Sequence, residues 1–171
     1  MLQYGHNDEK EKGDGVGAFT TFKASLKQFV KAARDKGGIP VLITPVNRRT
    51  FDASGHVTNS HGDYPESVRQ VAKEENVALI DLNLISKELY QALGSDGSGL
   101  LFKEGDATHH SRYGSYELAR AIVQALRDQK LPLAKYLVKG IAPFDPKKPD
   151  SFASFAVPPS PLLTDTKPLG N

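Results

Sequence analysis

Two hydrophobic periods alternate along this chain, and that alternation limits its fold more than any other feature. Ile39 to Thr44 (IPVLIT) and Val77 to Asp81 (VALID) are short and almost wholly apolar. Runs of this kind fit strands of a parallel sheet covered on both faces. Between and after them the apolar spacing becomes helical. Over residues 19–35, Phe22, Leu26, Phe29, Val30 and Ala33 fall at i, i+4, i+7, i+8 and i+11, one stripe of an amphipathic helix that Gly37-Gly38 stops. Asp63-Tyr64-Pro65-Glu66 predicts a second helix start, with Asp63 as cap, Pro65 in the first turn and Glu66 completing a capping box; this helix runs to about Asn76. A third helix places Leu82, Ile85, Leu89 and Leu93 on one face, and a Gly/Ser-rich link follows over Gly94 to Gly99. The last, over about 113–127, turns Leu118, Ala119, Ile122, Val123 and Leu126 inward. Leu2 to Tyr4 reads as the tail of a strand. Strands alternating with helices imply a parallel sheet with right-handed crossovers, an α/β layered domain.

Composition narrows the class. At 171 residues, with 39% hydrophobic and 25% charged residues, the chain suits one globular domain. A formal net charge of +2 without a dense basic run argues against nucleic acid. The lack of Cys excludes a disulfide framework and a thiolate zinc site. No apolar run reaches 18 residues, so no membrane span is expected, and Met1 to Tyr4 shows no signal-peptide pattern. Seven of the 11 prolines lie between Pro143 and Pro168. They predict a domain over 1–140 and an extended Pro-rich tail over 141–171, with Phe144, Phe152, Phe155 and Val157 available to pack across the surface.

Two short motifs carry the chemistry. In Asp106-Ala107-Thr108-His109 a carboxylate and an imidazole are three residues apart, within reach in a tight turn. The Asp can fix one ring nitrogen and leave the other as a general base. The plain alternative is a helix cap beside a loop histidine, and His110 competes with His109 for the role. In Tyr4-Gly5-His6-Asn7-Asp8, beyond a strand end, Gly5 allows close backbone approach and the Asn7 amide can donate to a developing oxyanion. Gly and Asn are also ordinary turn residues.

Taken together, the motifs resemble the SGNH (GDSL-type) hydrolase family. Gly5-His6-Asn7-Asp8 matches its third block and Asp106-x-x-His109 its fifth. Thr108 to Ala119 (THHSRYGSYELA), Thr44 to Arg49 (TPVNRR) and His61 to Pro65 (HGDYP) look like the rhamnogalacturonan acetylesterase-like branch. The resemblance covers roughly residues 1–138. It implies a three-layer α/β/α sandwich with flavodoxin-like strand order 2-1-3-4-5 and serine-type hydrolysis of acetyl esters on plant-wall polysaccharide, without cofactor or metal. It selects His109 over His110 as base, with Asp106 orienting it and Asn7 and Gly5 on the oxyanion side. His6, Arg48 and His61 are candidates for substrate binding, with Arg49 and Tyr64 on the same loops; a metal site built from His6, His61, His109 and His110 is the competing use of these histidines. A secreted or periplasmic location follows from the resemblance alone.

One departure is large. Gly13-Asp14, Gly62-Asp63 and Gly105-Asp106 are each followed by a residue other than Ser, and no Gly-x-Ser-x-Gly occurs. Ser25, Ser54, Ser60 and Ser111 lie in no nucleophile motif. Met1 aligns within the family's third strand, so two strands and the nucleophile are expected upstream. The expectations are a strand exposed at the sheet edge, self-association through it, and little or no esterase activity from this chain alone. Two other functions stay open: a non-catalytic carbohydrate-binding remnant, and a small-ester or lipid esterase on the same fold.

Overall fold

A computed structural model describes residues 1–156. Val157, one of the tail residues expected to pack, lies outside them. Three parallel strands, β1 (Leu2–Gln3), β2 (Val41–Ile43) and β3 (Ala78–Ile80), form one sheet in the order β1-β2-β3. Leu2 pairs with Leu42, and Leu42 with Leu79. Four helices connect and follow them: α1 (Lys23–Asp35), α2 (Tyr64–Glu74), α3 (Leu82–Ser98) and α4 (Arg112–Asp128).

Successive side chains of a strand point to opposite faces, and β2 uses both. Leu42 packs with Phe22, Leu26, Val30, Val68 and Val71 from the α1–α2 side. Its neighbours Val41 and Ile43 pack with Ile80, Ala121, Leu126 and Phe144 on the α4 side. The result is the expected α/β/α sandwich. A third cluster, Leu89, Tyr90, Leu101, Phe102 and Tyr113, fills the space between α3 and the start of α4.

Several local expectations are corrected. The apolar runs overstate the strands: Ile39 is 73% exposed and pairing begins at Val41. Phe29 is exposed on α1 and stacks on Tyr4 with ring centroids 5.0 Å apart, so this stripe is not all core. The capping box does not form. Asp63 has helical dihedrals and makes no cap bond, and Glu66 pairs with Arg69. The Gly94 link is a break within α3, at φ 70°, after which one more helical turn follows. On α4, Ala119 is exposed while Glu117 and Arg120 are buried. The tail explains the reversal. Arg120 pairs with Asp150, donates to the Pro143 carbonyl (3.1 Å) and lies over the Phe144 ring, which is itself buried.

Candidate active site

The carboxyl ends of the strands converge on one edge, where open α/β sheets place ligands. Beyond β1, Gly5 turns the chain at φ 128°, and a Cβ there would stand 3.0 Å from Pro45 Cγ. The turn closes on itself: the Gly5 N–H donates to Asp8 Oδ2 (2.9 Å) and the Glu9 N–H to the Gly5 carbonyl (3.1 Å). Tyr64 also donates to the Asp8 carbonyl (3.1 Å). Lys10 Nζ donates to Asn7 Oδ1 (2.9 Å), which leaves the Asn7 amide NH₂ as a donor toward the cleft.

The Asp106 loop is held like a small hairpin. Phe102 and His110 form an antiparallel bridge, with Lys103 N–H on the His109 carbonyl and Ser111 N–H on the Leu101 carbonyl, both 2.9 Å. At its tip Asp106 Oδ1 accepts from the backbone N–H groups of Thr108 (2.7 Å) and His109 (3.0 Å). Oδ2 lies 2.6 Å from His109 Nδ1. An ionised carboxylate only accepts, so Nδ1 carries the proton, and in the neutral ring Nε2 is then the nitrogen free to accept one, as a general base requires. The backbone N–H of His109, then that of Thr108 and then the imidazole hold the Asp106 carboxyl well below the usual range. His109 is 70% exposed. His110 is spent on structure: its Nε2 shares a hydrogen bond with the Tyr90 hydroxyl (3.0 Å), its ring leans on Phe102, and burial lowers its pKa to about 4.

Both motifs face one cavity of about 460 Å³, lined by His6, Asn7, Lys10, Arg48, Thr108 and His109. Of the sequence-stated candidates, His6, Asn7, Arg48 and His109 meet there, with Asp106 behind His109 and Gly5 beneath Asn7. Burial, then His61 and Arg48, lower the His6 pKa to about 4, so His6 stands neutral beside the cleft. His61 is placed elsewhere. Its side chain is fully buried, against Glu9 Oε2 (2.7 Å) and the Val46 carbonyl (2.8 Å), with the His6 ring edge-on to it. Arg48 pairs with Glu9 Oε1 at 2.5 Å. Arg49 points away, to the Ser95 carbonyl and Ser98 Oγ, and Tyr64 serves the Asp8 carbonyl.

Glu9, Lys10 and Thr108 were not singled out from sequence. For Lys10 a signal existed, since it sits three residues after Asn7, the reach of one tight helical turn. Glu9 gave none, because its partners are 39 and 52 positions away. Among the described residues no group of three or more metal-ligating side chains gathers, and no helix is long and apolar enough to cross a membrane. No serine lines the cavity.

No family model matches the chain. Individual proteins do. Rhamnogalacturonan acetylesterase RhgT of Bacillus subtilis is 36% identical over 151 residues, covering 81% of this chain and 64% of that protein. The probable rhamnogalacturonan acetylesterase YesY of the same organism is 36% identical over 145 residues, covering 81% and 66%. The crystal structure of B. subtilis YxiM superposes with a TM-score of 0.68 at 32% identity, over 77% of this chain and 37% of that one. YxiM is described as an uncharacterised esterase. The chain thus spans about two thirds of the length of the first two relatives.

Proposed function

The chain belongs to the SGNH (GDSL-type) hydrolase family, in its rhamnogalacturonan acetylesterase-like branch, and we propose that it carries the base and oxyanion side of an acetylesterase site. One observation carries this reading: His109, oriented by Asp106 at 2.6 Å, shares a cavity with Asn7. In the reaction His109 Nε2 takes the proton of a serine hydroxyl as its oxygen attacks the acetyl carbonyl. The Asn7 amide donates to the oxyanion. The imidazolium, held by Asp106, returns the proton to the departing sugar oxygen. Water, deprotonated by the same nitrogen, then releases acetate and frees the serine. The substrate is an acetylated polysaccharide or a small ester, and no cofactor enters. Residues 1–140 are the C-terminal part of the hydrolase domain, and 141–171 are its tail.

The serine is not among the cavity residues, so we assign it to sequence outside this chain. The test is acetate release from acetylated rhamnogalacturonan and from a small acetyl ester. This chain alone is expected to match buffer. Extended at its front by the corresponding segment of RhgT, it is expected to turn over, with a loss of about 10⁴-fold in His109→Ala and about 10²-fold in Asn7→Ala. Hydrolysis by the unextended chain that His109→Ala abolishes would place the nucleophile inside it. The intact cleft without a serine favours one second reading, a non-catalytic carbohydrate binder. Calorimetric binding of acetylated oligosaccharide by a folded but inactive extended chain would select it.

A further inference from the structure

Most of the motif residues are absorbed by this site, but Glu9 is not, and its surroundings are unusual. Its side chain is only 16% exposed although it sits in a surface turn. One carboxylate oxygen takes Arg48 at 2.5 Å and the other takes His61 Nδ1 at 2.7 Å. His61 Nε2 meets the Val46 carbonyl at 2.8 Å. Both ring nitrogens therefore face acceptors, a pattern that only the doubly protonated imidazolium satisfies. Arg48 Nη1 stands 3.4 Å from the same Nδ1; two donors do not bond each other, so the carboxylate lies between two cations and joins them. Arg48 Nη2 also reaches the His6 carbonyl (3.4 Å) and Nη1 the Ser60 carbonyl (3.1 Å). The Glu9 and His6 links run from the 5–10 turn after β1 to the loop after β2, and those to Val46 and Ser60 brace that loop itself.

We propose that Glu9 is a positioning residue: by bridging Arg48 and a buried His61 imidazolium it fixes the turn that presents the Asn7 amide to the cleft. This rests on the reading of Asn7 as oxyanion donor, although the clamp itself is measurable without catalysis. Asn7 has no such anchor of its own. Its side chain is exposed and, among the described residues, bonds only Lys10, whereas Glu9, two residues on, reaches beneath the turn. Charge-assisted bonds of this kind are about twice as strong as neutral ones, and here they are shielded from water.

The test uses this chain and the near-isosteric Glu9→Gln, which keeps the packing and removes the charge. In the parent, nitrogen NMR of the His61 ring is expected to show two protonated nitrogens; in Glu9→Gln one of them becomes bare. Amide exchange at Gly5, Glu9 and Lys10, whose N–H groups close the turn, is expected to speed up about tenfold or more, while amides within α2 and α4 stay unchanged. Glu9→Asp, which keeps the charge on a shorter stem, is expected to restore the doubly protonated ring but only part of the protection. A bare His61 nitrogen in the parent, or unchanged exchange across the turn in Glu9→Gln, would overturn the proposal. In the extended chain used for acetate release, Glu9→Gln is expected to lower kcat about tenfold with KM little changed, and to add nothing in an Asn7→Ala background. An altered turn with unaltered kcat leaves the clamp standing and removes Asn7 from catalysis, so the two claims fail separately.

Discussion

Gly114 is the residue on which the seating of the 102–110 loop depends most sharply. It lies in the first turn of α4, and a Cβ added there would fall 1.9 Å from the Leu101 carbonyl oxygen and 2.8 Å from its carbon. Both are backbone atoms, so no rotamer change relieves the clash; α4 and the 99–101 turn must separate by more than about 1 Å to restore ordinary contact. The same carbonyl accepts from Ser111 N–H at 2.9 Å and lies on a residue with no exposure. Overpacking of this kind costs about 1–3 kcal/mol, and a buried carbonyl robbed of its donor about 1–3 kcal/mol more. Against this, Ala is preferred over Gly in a helix by about 1 kcal/mol. The balance for Gly114→Ala is a loss of about 3 kcal/mol, or roughly 6–12 °C in Tm for a domain of this size. Thermal melting followed by circular dichroism measures it. Gly97→Ala is the control, since its Cβ meets nothing closer than 3.6 Å; it should stay within about 0.5 kcal/mol of the parent or gain slightly. A Gly114→Ala melt within 2 °C of the parent would refute the close seating of α4 and, with it, the account of how the 102–110 loop is closed.

Three further outcomes follow from the charges and the sheet edge. Asp106 is held well below the usual carboxylate range, so its contribution to loop order is present above the ordinary Asp value of about 4 and is lost only as pH falls well below it; its carboxyl carbon should titrate clearly below that ordinary value, and an NMR midpoint at or above about 4 contradicts the hydrogen bonding described. His110, lowered to about 4 by burial, disfavours its cation in the folded state, so stability is full above pH about 6.5 and falls between there and about 4. Urea unfolding across that window should lose on the order of 2 kcal/mol more in the parent than in His110→Gln, after allowance for partial exposure, and equal slopes would sink the assignment. Finally, β1 lies at the edge of the sheet, next to the exposed Tyr4–Phe29 stack and Ile39; we propose self-association there, visible by light scattering as a concentration-dependent mass that Phe29→Lys reduces.

What was legible in the sequence is what depends on local pattern. The alternating periods place three strands and four helices, because a run such as Val41 to Ile43 has no other way to bury every side chain. The Asp106–His109 pair was legible because its partners are three residues apart. Interactions closed over long separations were not. Glu117 and Arg120 look like solvated helix charges until Asp150 and Pro143 fold over them, and burial then pushes the Glu117 carboxyl up. His61 looks like a loop ligand until Glu9 arrives from 52 residues away. The failed capping box has a local cause instead: Asp63 follows Gly62, which has φ 50°, and enters the helix with αR dihedrals, so it is not placed as a cap.

The segment after β2 also resolves how two arms so distant in sequence keep one spacing. Asn47 is buried and uses its whole amide within the loop, donating to the Arg48 and Thr58 carbonyls and accepting from Ser60. Its backbone N–H is held by Ser86 Oγ at the start of α3. Arg48 then reaches the Asn7 turn through Glu9 and the His6 carbonyl. Arg49 reaches the Asp106–His109 loop through its backbone N–H on the Ala107 carbonyl (2.9 Å), while its guanidinium is fixed on Ser95 and Ser98. Consecutive residues thus tie the Asn7 turn and the Asp106–His109 loop to one segment, Arg48 through its side chain and Arg49 through its backbone N–H. This accounts for the direction of the two arginines without invoking substrate: each is committed to protein. Lys10, whose Nζ bonds only the neutral Asn7 amide among the side chains of the described residues, lines the same cavity, and we propose it as the cation that meets a negatively charged sugar there.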